Sequence, residues 1–137
     1  MKNPISISES EWVVMKVLWE DSPRTLPEIL NRLKHTAWST TTIQTYLARL
    51  VKKGALVTER QGKGYLYSPA LSEADCQLIE SKNFLSRIYE GSLSRMVKGF
   101  VKSGSLSPEE LEALREIIIL SVPDYAECGF VDRGGRG

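Results

Sequence analysis

Ser39, Thr41, Thr42, Gln44 and Thr45 are followed closely by Arg49, Lys52 and Lys53, all inside fifteen consecutive residues. Nothing in this set pairs a nucleophile with a base. What it offers is hydrogen bonding and fixed positive charge: hydroxyls that donate or accept, an amide, a guanidinium and two ammonium groups. Those are the groups with which base edges and phosphates are contacted. A threonine methyl can touch the thymine methyl, arginine can reach guanine or phosphate, and lysines meet the phosphate backbone. Arg60 and Lys63, around Gly62, could add to the grip on phosphate. Taken one at a time, the threonines fit an ordinary solvated surface equally well. Only the whole face in its basic surroundings points to nucleic acid.

A face of this kind needs a helix to present it. Residues 38–56, WSTTTIQTYLARLVKKGAL, carry four threonines between positions 40 and 45, where a branched β-carbon lowers helix propensity. At 100° per residue, Ile43, Leu47, Leu50 and Val51 fall on one side with Tyr46 at the margin. Thr41, Gln44, Thr45, Ala48 and Lys52 fall on the other, flanked by Thr42 and Arg49. The polar face therefore lies at the N-terminal turns, the part of a recognition helix that meets base edges, where the dipole also favours phosphate. Ser39 caps the start, and Gly54 after Lys52 and Lys53 ends it.

The elements before and after it are equally legible. Ser8 with Glu11, and Thr25 with Glu28, are Ser/Thr-x-x-Glu capping boxes that open two earlier helices. ALVTERQ and GYLYSPA predict two strands joined at Gln61–Gly64. Three helices and a hairpin in residues 1–71 give the order of a winged helix-turn-helix domain, so the fold class is mainly α. Tyr65 and Tyr67 fit strand packing better than base stacking.

Residues 72–120 read as a helical dimerisation domain. Leu85, Ile88 and Tyr89, then Leu93, Met96, Val97 and Phe100, then Leu111, Leu114 and Ile118 form apolar stripes at helical spacing. Their apolar surface exceeds what so small a chain readily buries, which favours a dimer; a packed monomeric core is the alternative. Residues 121–137 lose the pattern and are expected to form a disordered tail.

Composition excludes several classes. The chain has 137 residues, 42% hydrophobic and 26% charged, with one histidine and two cysteines, Cys76 and Cys128. No zinc set, disulfide framework or catalytic triad can be assembled from these, so neither an enzyme nor a cofactor is expected. No apolar run approaches a membrane span and no signal peptide is evident, so a cytoplasmic protein is expected. Net charge is +1, but unevenly divided: residues 1–70 carry ten Lys/Arg against six Asp/Glu, and residues 71–137 eight against eleven.

ISESEWVVMKVLW, WSTTTIQTYLARLVKKG and SKNFLSRIYEGSLSRMVKGFVKSGSLSPEELEALREI, in that order, resemble the opening helix, recognition helix and dimerisation arm of the penicillinase-repressor (BlaI/MecI/CopY) family of bacterial winged-helix regulators. The resemblance spans about Ile5 to Leu120. It implies a homodimeric repressor on a dyad operator of double-stranded DNA, controlling a β-lactamase or similar resistance gene and its own operon. It further implies inactivation by a membrane sensor-transducer protease, or a protease downstream of it, cutting the arm before a phenylalanine. The matching bond is Gly99–Phe100; Phe100 also fits a plain core residue.

The sequence departs from that pattern at three places. Gly99 stands where the resistance repressors commonly have asparagine, and Thr41 and Gln44 where they commonly carry basic residues. The CxC…CxC metal site of the copper-responsive branch is absent. A repressor of other genes released by another signal, and a winged-helix module for protein contact, stay open on the sequence alone.

Overall fold

Helix α1 (Glu9–Glu20) starts where the capping box places it, in a computed structural model that describes residues 5–121. The Ser8 hydroxyl accepts the Glu11 N–H at 3.1 Å, and the Glu11 carboxylate accepts the Ser8 N–H at 2.9 Å. Helix α2 (Leu26–Arg32) opens the same way on Thr25 and Glu28, with Pro27 in a first turn that needs no N–H from it. Helix α3 (Thr40–Lys53) is capped by Ser39 and terminated by Gly54 at φ +87°, where glycine escapes the Cβ penalty of the left-handed region. The Ala55 N–H then returns to the Leu50 carbonyl at 2.9 Å, satisfying a carbonyl of the last turn.

The hairpin follows directly. Strands β2 (Leu56–Gln61) and β3 (Gly64–Pro69) pair antiparallel, with Gln61 opposite Gly64 and a two-residue turn at Gly62-Lys63. Gly62 takes φ +60° in that turn. A further strand, β1 (Arg24–Thr25), pairs antiparallel with β3 on its other edge, giving the order β1-β3-β2. The sequence pattern does not show β1, because two residues carry no alternation and both precede the capped start of α2.

The core lies between α1, α2, α3 and the base of the hairpin. Val14, Met15, Leu18, Ile29, Leu33, Ile43, Leu47, Leu50 and Leu56 are all buried. Trp12 and Trp19 meet edge to face at 5.1 Å, and the Trp19 indole donates to the Leu71 carbonyl at 2.9 Å. This is the winged-helix arrangement expected from the element order.

Helix α4 (Glu73–Tyr89) is capped by Ser72. Its Cys76 is fully buried in the same core, where burial pushes the thiol above its ordinary range. Two compact units result, one through Gly91 and one from Ser92 onward, so α4, grouped with the arm on sequence grounds, packs with the first unit. The second unit holds α5 (Leu93–Ser103) and α6 (Pro108–Ser121). The tail expected from residue 121 lies outside the described residues beyond Ser121.

Candidate nucleic-acid interface

The burial of α3 follows the helical wheel. Ile43, Leu47 and Leu50 are buried, Tyr46 and Val51 are half-buried, and Trp38 packs edge to face on Tyr46 at 5.1 Å beneath them. Thr41, Gln44, Thr45, Ala48, Arg49 and Lys52 are exposed along the opposite side. The apolar half thus anchors the helix and leaves a polar face about three turns long.

The hydroxyls on that face differ in what they have left to offer. Ser39 accepts the Thr42 N–H at 3.1 Å and donates its own proton to the Thr42 hydroxyl at 3.0 Å. Both are therefore engaged in the cap. The Thr45 hydroxyl donates back to the Thr41 carbonyl at 3.0 Å, so on this exposed residue its proton is used while its acceptor capacity is not. Thr41 and Gln44 side chains make no hydrogen bond among the described residues, so their full donor and acceptor capacity faces solvent.

The seven basic residues between Arg32 and Gly64 are not equivalent. Arg32 is paired with Glu20 at 2.6 Å. Lys53 is turned inward onto Glu11 at 2.5 Å and onto the Ser6 carbonyl at 2.6 Å. Lys34, Arg49, Lys52, Arg60 and Lys63 carry no ion pair among the described residues. On the hairpin, Arg60 stands opposite Tyr65 in register, and its guanidinium lies 5.5 Å from the ring centroid. The exposed tyrosine is thus a rest for a cation, a role the sequence pattern missed because it depends on strand register.

The expected arm residues are distributed over both units. On α4, Ile88 is exposed, while Leu85 and Tyr89 are half-buried. In the second unit Leu93, Phe100, Leu111 and Ile118 are exposed, and Met96, Val97 and Leu114 are half-buried. Phe100 is 43% exposed. Gly99 is exposed within α5, and a Cβ added there would meet open space, so no packing demand explains the glycine. Among the described residues, no helix is long and apolar enough to cross a membrane, and no group of His, Cys, Asp or Glu could hold a metal ion.

The family model described as "Penicillinase repressor" matches residues 7–119. A penicillinase repressor of Bacillus licheniformis is 41% identical over 119 residues, covering 86% of this chain and 93% of the relative. The methicillin resistance regulatory protein MecI of Mammaliicoccus sciuri is 34% identical over 113 residues, covering 82% and 92%. Among solved structures, the DNA binding domain of the repressor BlaI is similar, with 43% identity and a TM-score of 0.50 over 55% of this chain and 93% of that one. The chain belongs to the penicillinase repressor family, which consists of DNA-binding transcriptional repressors rather than enzymes.

Proposed function

We infer that this repressor acts as a homodimer on a dyad operator, controlling β-lactam resistance genes together with its own operon. The observation that carries the reading is the α3 face, where Thr41, Gln44 and Arg49 stand free beside Lys52 and no acid interrupts them. Thr41, Gln44, Thr45 and Arg49 would meet base edges, while Ser39 and Thr42 hold the helix N-terminus in shape for phosphate. Lys52, Arg60 and Lys63 would bind the DNA backbone. The relatives' names, penicillinase repressor and methicillin resistance regulatory protein, support the class of genes controlled.

Release would follow cleavage of Gly99–Phe100 by a sensor protease or one acting after it. The cut separates Leu93–Gly99 from Phe100, Val101 and α6, and so divides the apolar surface of the second unit. Two weakly bound half-sites would then no longer be joined, and affinity would fall with α3 unchanged.

Fluorescence anisotropy of the full chain on DNA upstream of its own gene, against a scrambled duplex, tests this. Binding specific to the upstream duplex is expected. Lys52, Arg60 and Lys63 from two subunits would give a log–log salt slope of about −5. Equal, weak binding to both duplexes would count against autoregulation, and no binding at low salt would defeat the proposal.

A further inference from the structure

The last residue of the recognition helix is tied to something other than DNA. Lys53 donates from Nζ to the Ser6 carbonyl at 2.6 Å and to Glu11 Oε1 at 2.5 Å. Glu11 is only 2% exposed, and the same oxygen accepts the Ser8 N–H at 2.9 Å. A buried carboxylate with a cation and a backbone donor on one oxygen is fixed in place, and it fixes what binds it.

The same short segment holds α4 from its other side. The Ile7 N–H donates to Glu80 Oε2 at 2.9 Å, and Asn83 Nδ2 donates to the Ile5 carbonyl at 3.3 Å. Ser6 thus bonds α3 while Ile5 and Ile7 bond α4. A chain of hydrogen bonds runs from Lys53 through residues 5–11 to Glu80 and Asn83. All of it lies within the unit that ends at Gly91.

We propose that residues 5–8 are a strap holding the end of the recognition helix at a fixed place relative to α4, and that Lys53 is a positioning residue for operator binding rather than a phosphate ligand. The inference rests on the operator-binding role above. Lys52, one position earlier, is exposed and unpaired and remains a phosphate ligand. Leu85, Ile88 and Tyr89 on α4 are among the residues expected at the dimer surface, and with α4 in that interface the strap would set where each α3 stands within the dimer. It therefore tunes the half-site spacing the dimer accepts.

The salt dependence separates the two roles of a lysine. In the full chain on its own upstream duplex, Lys52→Met should lower the log–log salt slope by about one per half-site. Lys53→Met should leave the slope at the wild-type value while affinity falls about tenfold. A slope for Lys53→Met that drops like that of Lys52→Met, or an unchanged affinity, would overturn the strap.

Glu80 gives a second variant, on α4 and not among the residues assigned to DNA. Glu80→Ala should weaken the penalty for inserting two base pairs at the centre of the footprinted dyad by about fivefold or more. Glu80→Gln, which keeps an acceptor for the Ile7 N–H, should restore it. A Glu80→Ala protein with wild-type spacing preference would overturn the strap. A wild-type chain that binds no duplex overturns the operator-binding role first, so the two failures are told apart.

Discussion

Thr41 and Gln44 occupy the exposed first turns of α3 with their hydrogen-bonding groups free, and they carry no charge. Their contribution to binding should therefore be specificity rather than electrostatic affinity. Replacing either by alanine should reduce discrimination at one base pair by roughly 1–3 kcal/mol and leave the salt slope unchanged, read by anisotropy on duplexes mutated one position at a time. Glu11 illustrates a residue at which burial and bonding oppose each other. Burial pushes its carboxyl up, but the hydrogen bond from Lys53, the N–H of Ser8 and the Lys53 charge together bring it below the ordinary carboxylate range. A lowered value in the folded state means stability that is present above the unfolded carboxylate pKa of about 4.3 and is lost as pH falls through the folded one. Chemical denaturation between neutral pH and pH 2 should show the wild type losing stability in that acid range. Glu11→Gln should start lower at neutral pH and decline less steeply; parallel curves would contradict the buried pairing.

At the scale of elements, α3 depends on a cap that its own front residues build. Ser39 and Thr42 bond each other twice, once through the Thr42 N–H and once through the two hydroxyls. Ser39→Ala should therefore lower stability by about 1 kcal/mol, and should also weaken DNA binding because the first turn carries Thr41. A melting experiment with and without duplex reads both effects. The elements most visible in the sequence are those defined by local chemistry: two capping boxes, the Ser39 cap, the Gly54 stop and the glycine-turned hairpin all require only neighbouring residues. Long-range contacts were not legible. Strand β1 exists only because Arg24 and Thr25 lie beside Tyr67 and Leu66. In the sequence Lys53 reads as one more cation of the basic face, since its partner Glu11 lies 42 residues away and already has a local role in the α1 cap. The packing of α4 with the first unit rests likewise on Cys76, Glu80 and Asn83 meeting residues far earlier in the chain.

For the whole molecule, the central question is what covers the apolar residues of the second unit. Leu93, Phe100 and Val101 on α5, and Leu111, Ile117, Ile118 and Leu120 on α6, are all exposed in the single chain. Scattered exposed apolar residues need no explanation, but this many on two consecutive helices exceed the usual surface of a monomer. A second copy would bury them and would also join two DNA-binding units at an effective concentration in the millimolar range. Sedimentation equilibrium at micromolar protein should accordingly return twice the chain mass. Val97→Glu combined with Phe100→Glu should return a single chain mass with the circular dichroism of α1–α3 retained. On a two-site duplex that variant should bind at least about a hundredfold more weakly, whereas on a single half-site duplex it should match the wild type. A variant that stays dimeric would place the interface elsewhere. One that becomes monomeric without losing affinity for the two-site duplex would separate dimerisation from operator binding, and cutting at Gly99–Phe100 could then not be the release step.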